Sequence, residues 1–107
     1  MRQLFEAQGA SLMATDRCLT VSGDVDFDVA AALASAGSEW LAACASGAMV
    51  ELDFAGVQRV SSAALSVMLE WMRHAIAADL HVQAVHLSPP LRRLTEVASL
   101  DALLPVA

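Results

Sequence analysis

Hydrophobic and polar positions change rhythm along the chain, and each change marks an element. Ser11-Leu-Met-Ala14 and Cys18-Leu-Thr-Val-Ser22 are short β-prone runs, and Thr15-Asp16-Arg17 between them reads as a hairpin turn. Gly23-Asp24-Val25-Asp26 breaks the second run. The spacing then becomes helical. Val29, Leu33, Ala36, Trp40 and Cys44 recur on one face, whose small residues let a helix approach a sheet closely. Asp26 or Asp28 caps this helix, and both place negative charge at its positive end. Gly37 in its middle costs about 1 kcal/mol relative to alanine, and Gly47 marks its end.

Met49–Phe54 is mostly apolar, as suits a central strand covered on both faces. Gly56 punctuates the turn after it. Ser61 and Ser62 then stand at the mouth of the longest amphipathic segment, where a serine hydroxyl accepts from a first-turn N–H. Leu65, Met68, Leu69, Met72 and Ile76 form the expected buried face, and Ser66, Glu70, Arg73 and Ala77 the polar stripe. Val67, Trp71 and His74 flank that stripe, so Trp71 reads either as a core-edge residue or as an anchor for a partner. Asp79 closes the helix. Leu80 to Leu87 alternates as a strand, ended by Ser88-Pro89-Pro90. Leu91, Leu94, Val97 and Ala98 make a short last helix opened by proline. Ser99 to Ala107 reads as a tail packed by Leu100, Leu103 and Leu104, and residues 1–10 as a loose or short edge segment. The order β-β-α-β-α-β-α predicts a single α/β domain with a mixed central sheet of about four strands and helices packed on it.

Composition narrows the function. With 107 residues the chain makes one domain with a core of its own. The apolar fraction of 57% exceeds the usual range and suggests that a partner covers some apolar surface. The net charge is −6, lysine is absent, and the six cations are scattered arginines. Nucleic acid and anionic lipid surfaces need a clustered basic face, so neither is an expected partner. The opening Met1-Arg-Gln-Leu-Phe-Glu-Ala has no long apolar run, and no window reaches the roughly 18 apolar residues of a membrane span. A cytoplasmic protein without membrane insertion, with Cys18 and Cys44 reduced and acting as small hydrophobes, is the expectation.

Enzyme chemistry finds no foothold. There is no P-loop, no dinucleotide fingerprint and no nucleophile elbow. His81 and His86 lie five apart, which on a regular strand points them to opposite faces. Asp24, Asp26 and Asp28 fit turns and caps better than a cation site. No catalytic residue, cofactor or metal is expected.

Gly23-Asp-Val-Asp26, the strand Leu52-Asp53-Phe54, and Val57 followed by Val60-Ser-Ser-Ala-Ala-Leu65 together resemble the STAS domain, from about Ser11 to Leu104. That family includes the bacterial anti-sigma-factor antagonists. It shows Gly-Glu-Leu-Asp after its early strands, a strand ending near Leu-Asp-Leu, and Asp-Ser-Ser-Gly-Leu opening its second helix. The resemblance places Ser62 on the Ser or Thr that partner kinases phosphorylate in antagonists. Ser61 stands where the family has Asp, and Ala63-Ala64 where it has a small residue and Gly. Within the family, Gly23-Asp-Val-Asp-Phe-Asp-Val29 and the helix after Arg59-Val60 are most similar to the MlaB-like branch. Its members are subunits of a phospholipid-transporting ABC complex that maintains outer-membrane lipid asymmetry. The resemblance implies binding to an MlaF-like ABC ATPase beside an MlaE-like permease, peripheral to the inner membrane. It places Ser62 on the threonine that such subunits set against the ATPase; around it the free first-turn N–H groups, the hydroxyls of Ser61 and Ser66, the small Ala63, the Asp26 cap, the apolar Phe27 and Glu70 complete the expected partner surface. The alternative is an anti-sigma-factor antagonist regulated by phosphorylation of Ser62.

Overall fold

A computed structural model describes residues 1–59, 62–98, 100 and 104–106. Eight elements follow one another: β1 (Arg2–Ala7), β2 (Ala10–Ala14), β3 (Cys18–Gly23), α1 (Phe27–Ala43), β4 (Met49–Val57), α2 (Ser62–Ala77), β5 (His81–Leu87) and α3 (Pro89–Val97). The strands form one mixed sheet in chain order, β1-β2-β3-β4-β5. β1, β2 and β3 run antiparallel, whereas β3, β4 and β5 are parallel. The sheet thus has five strands rather than about four. Residues 2–7, weak in pattern, are a full edge strand whose period is broken by a bulge between Gln3 and Phe5.

Alternation decides the two faces of the sheet. Leu12, Leu19, Val21, Val50, Leu52, Phe54 and Val85 turn to the helix-covered face and are sealed from solvent. Met13, Thr20, Asp53 and His86 form a row across the opposite, half-exposed face. A register shift between Val50 and Glu51 adds one residue to β5, so His81 and His86 pair with Met49 and Asp53 and share a face. The expectation of opposite faces fails because that bulge resets the alternation. Four residues of β4 still separate their partners, about 13 Å along the strand. A second irregularity, on β4 beside Ser22, carries that strand through Gly56 to Val57, past the expected end at Phe54.

The core of α2 is turned about one residue from the expected face. Ala64, Val67, Met68, Trp71 and Ala75 are buried, whereas Ile76 is 74% exposed. Leu65, Leu69 and Met72 are only half-buried. Hydrophobicity alone favoured the leucine-rich stripe; the fold instead buries the indole. Trp71 is 0% exposed, its Nε1 donates to the Ala34 carbonyl at 3.0 Å, and its ring lies 5.5 Å from that of Phe54. Trp71 is therefore core, and the reading of it as a partner anchor is withdrawn.

Gly37 makes this packing possible. A Cβ there would collide with the Trp71 indole. The glycine that seemed only to weaken α1 is the notch that lets α1 and α2 close on the tryptophan. Gly23 has a different constraint: its φ is +89°, and a Cβ would strike the Gly9 carbonyl oxygen. The tail closes the other edge. Val85 N–H donates to Pro105 O at 2.8 Å, Val106 bridges Val85, and Leu104 and Val106 pack against the core. Leu103, expected to join them, lies outside the described residues.

Two effects oppose each other in Gly37→Ala. Helix propensity favours alanine by about 1 kcal/mol. Overpacking against a buried, hydrogen-bonded ring costs about 1–3 kcal/mol. Urea denaturation should show a net loss of up to about 2 kcal/mol; a stabilised variant would mean the notch is not needed.

Candidate functional site

The parallel strands β3, β4 and β5 end at one pole of the molecule, and α1 and α2 start there. In open α/β sheets this carboxyl end of the strands is where partners and ligands bind, because the loops leaving it are free to carry chemistry. Two connections build the pole. Asp24-Val25-Asp26 leads from β3 into α1, and residues 58–61 lead from β4 into α2.

The first connection is held at both ends of a short segment. Val25 and Val29 are 2% exposed and pin it to the core. Between them the Asp26 carboxylate caps α1, accepting from Asp28 N–H at 2.9 Å and Val29 N–H at 3.3 Å. Of the two aspartates expected as caps, Asp26 is the one used; Asp28 lies in the first turn, where its charge favours the helix dipole. Phe27, the first helical residue, is left 74% exposed.

The second connection is tied to the first. Gln58 N–H donates to Gly23 O at 3.1 Å, and Arg59 Nε lies 3.5 Å from Asp24 Oδ2. Sequence reasoning did not single out Arg59. Its signal was a cation in one loop opposite the aspartates of the other, legible only once the strand order was known. Asp24 Oδ1 and Ser88 Oγ are buried without a hydrogen-bond partner. Both follow the ends of parallel strands at this pole.

The predicted contact residues divide. Ser62 and Ser66 are exposed on α2, and Glu70, four residues further along, is half-buried with its carboxylate 4.0 Å from His74 Nε2. Asp26 and Phe27 are exposed at the head of α1. Ala63 is 1% exposed and Ala64 0%, so both face the interior and neither offers contact area. Their small size serves the seating of α2 on the sheet rather than the approach of another protein. Ser62 is the first residue of α2 rather than its cap. Ser61 lies outside the described residues.

Chemistry at the pole is limited. Asp24 pairs with Arg59 and Asp26 with backbone N–H groups, so the aspartates do not converge on a cation. Among the described residues no group of three His, Cys, Asp or Glu is arranged to hold a metal. An open groove of about 640 Å³ lies at the far pole, lined by Arg2, Thr15, Asp16, Trp40 and Cys44 among others. Cys18 and Cys44 are free and half-buried rather than sealed. Burial pushes both thiols above their ordinary value. For Cys18 a hydrogen bond from Thr20 works against that shift, and the Asp53 and Glu51 carboxylates add to it.

Two outcomes follow from this geometry. Asp26→Ala removes the cap and should lower stability by about 1 kcal/mol in thermal or chemical unfolding. Because the folded state holds the thiol protons more tightly, iodoacetamide at mildly alkaline pH should modify both cysteines more slowly in the native than in the urea-unfolded chain. By the same linkage, stability is fully present below the unfolded thiol pKa and declines as pH rises through the raised one.

No curated protein matches the chain. A family model described as "Mlab, STAS domain" matches residues 10–105. That span runs from the start of β2 to the tail packed on β5 and includes both connections of the pole. STAS domains are in general binding modules rather than catalysts, in keeping with a pole that presents exposed side chains. The chain belongs to the STAS family and is a STAS domain of the MlaB type.

Proposed function

We propose that the domain is a non-catalytic subunit of a phospholipid-transporting ABC complex, and that it binds the ATPase subunit through the pole where α1 and α2 begin. The complex maintains the lipid asymmetry of the outer membrane. The observation that carries this reading is the exposure of Ser62 and Phe27 at the first positions of two helices whose entering connections are tied together, in a chain of the MlaB type. Ser62, Ser66 and Glu70 lie at i, i+4 and i+8, one line along the outside of α2. Asp26 and Phe27 stand at the head of α1, whose entering loop is tied to the loop entering α2. The ATPase seats on this surface, with the permease in the same assembly. The domain reaches the inner membrane through these partners. No helix among the described residues is long and apolar enough to cross a membrane itself.

Ser62→Glu separates docking from folding. An acid at the first position of α2 suits the helix dipole, so stability should hold within about 0.5 kcal/mol. The same change places charge and bulk in the contact, and co-purification with the ABC ATPase of the same organism should be lost. A Ser62→Glu domain that stays in the complex would contradict the proposal. Incubation with serine kinases of that organism tests the alternative: phosphate on Ser62 by mass spectrometry would favour the antagonist reading.

A further inference from the structure

Resting on this docking reading, we infer what the partner's surface must look like: an apolar socket that takes the Phe27 ring, rimmed by arginine or lysine side chains.

Five large hydrophobic residues are exposed among the described ones: Met1, Phe27, Met49, Ile76 and Val97. Phe27 is the aromatic among them, and it stands at the pole already singled out. Its position is fixed from below. Val25 and Val29 are buried on either side, the Asp26 carboxylate holds the N–H groups of Asp28 and Val29, and Ala30 N–H donates to Asp26 O at 3.0 Å. A ring carried on so rigid a base loses little freedom on binding, which is the property of an interface anchor. A buried phenylalanine contributes roughly 150–250 Å² to a contact.

Charge selects what surrounds the socket. Asp24, Asp26 and Asp28 fall within five residues of sequence around the ring, and the loop tied to theirs brings one guanidinium, Arg59. Arg59 is tied to Asp24. Asp26 caps the helix through its carboxylate, and Asp28 is exposed. The whole chain carries −6. An acidic or neutral socket would meet this rim with uncompensated repulsion or desolvation. A basic rim gains attraction and faster, salt-sensitive association. Asp28 is suited to test the rim, because Asp26, not Asp28, makes the cap.

The test uses the whole domain and the purified ABC ATPase of the same organism, with affinity measured by calorimetry at about 50 and 300 mM salt, wherein the two ionic strengths bracket the screening of exposed charges. Phe27→Ala should weaken binding at least about 30-fold, and Asp28→Arg at least about 10-fold at the lower salt. The wild-type affinity should fall several-fold at the higher salt, and Asp28→Arg should blunt that dependence. Circular dichroism melts confirm that each variant folds; should Asp28→Arg fail to fold, Asp28→Asn reads the same rim with a smaller effect. If the wild type binds, Ser62→Glu abolishes binding, and Phe27→Ala stays within about threefold, the socket is overturned while the docking pole stands. Binding that ignores both salt and the Asp28 variants overturns the basic rim. If the wild type does not bind the ATPase at all, the proposed function fails and the socket with it. A wild-type dimer that Phe27→Ala turns into a monomer would assign the ring to a second copy of this chain and overturn the partner socket.

Discussion

The indole of Trp71 occupies space that any side chain at residue 37 would need. It also donates to the Ala34 carbonyl and lies against Phe54 on the central strand. One ring thereby joins α1, α2 and β4. Because the ring is fully buried and hydrogen-bonded, the distance and rotation of the two helices are set by contact rather than by loop length. Interiors packed this tightly transmit rather than absorb a change of shape. The rotation of α2 that brings Trp71 inward also turns Ser62, Ser66 and Arg73 outward. The exposed face of α2 is therefore a consequence of what the core demands.

At the upper end of the same two helices the connections are held by polar contacts. A backbone hydrogen bond and an Arg–Asp pair tie the loop entering α1 to the loop entering α2. The ion pair is exposed and adds about 0–1 kcal/mol at most to stability. Its greater effect is geometric: it holds the loop entering α2 to the loop entering α1. Two buried polar atoms at this pole have no partner in the described structure.

Much of the architecture was legible in the residues. The hairpin at Thr15–Arg17, the Asp26 cap, the proline-opened α3 and the crossover order follow from turn chemistry and period, and all appear. The misses have physical causes. β1 was weak because a bulge breaks its alternation, and the two histidines changed sides through a bulge in β5. The buried face of α2 was assigned by counting leucines. What decides it is a long-range pairing of Trp71 with Gly37, and a single helix cannot reveal that. Of the candidate contact residues, Ser62, Ser66, Asp26 and Phe27 are exposed, while Ala63 belongs to the interior. Small size and the family motif suggested Ala63, but neither reports which way a helix is turned.

The central claim is that another protein seats itself on the pole where α1 and α2 begin. Amide hydrogen exchange of the domain, alone and with the purified ABC ATPase, addresses it without altering any residue. The account predicts slowed exchange in residues 24–30 and 62–66 and little change at the far pole, in residues 14–18 and 44–49. Slowed exchange confined to the far pole, with 24–30 and 62–66 unaffected, would contradict it.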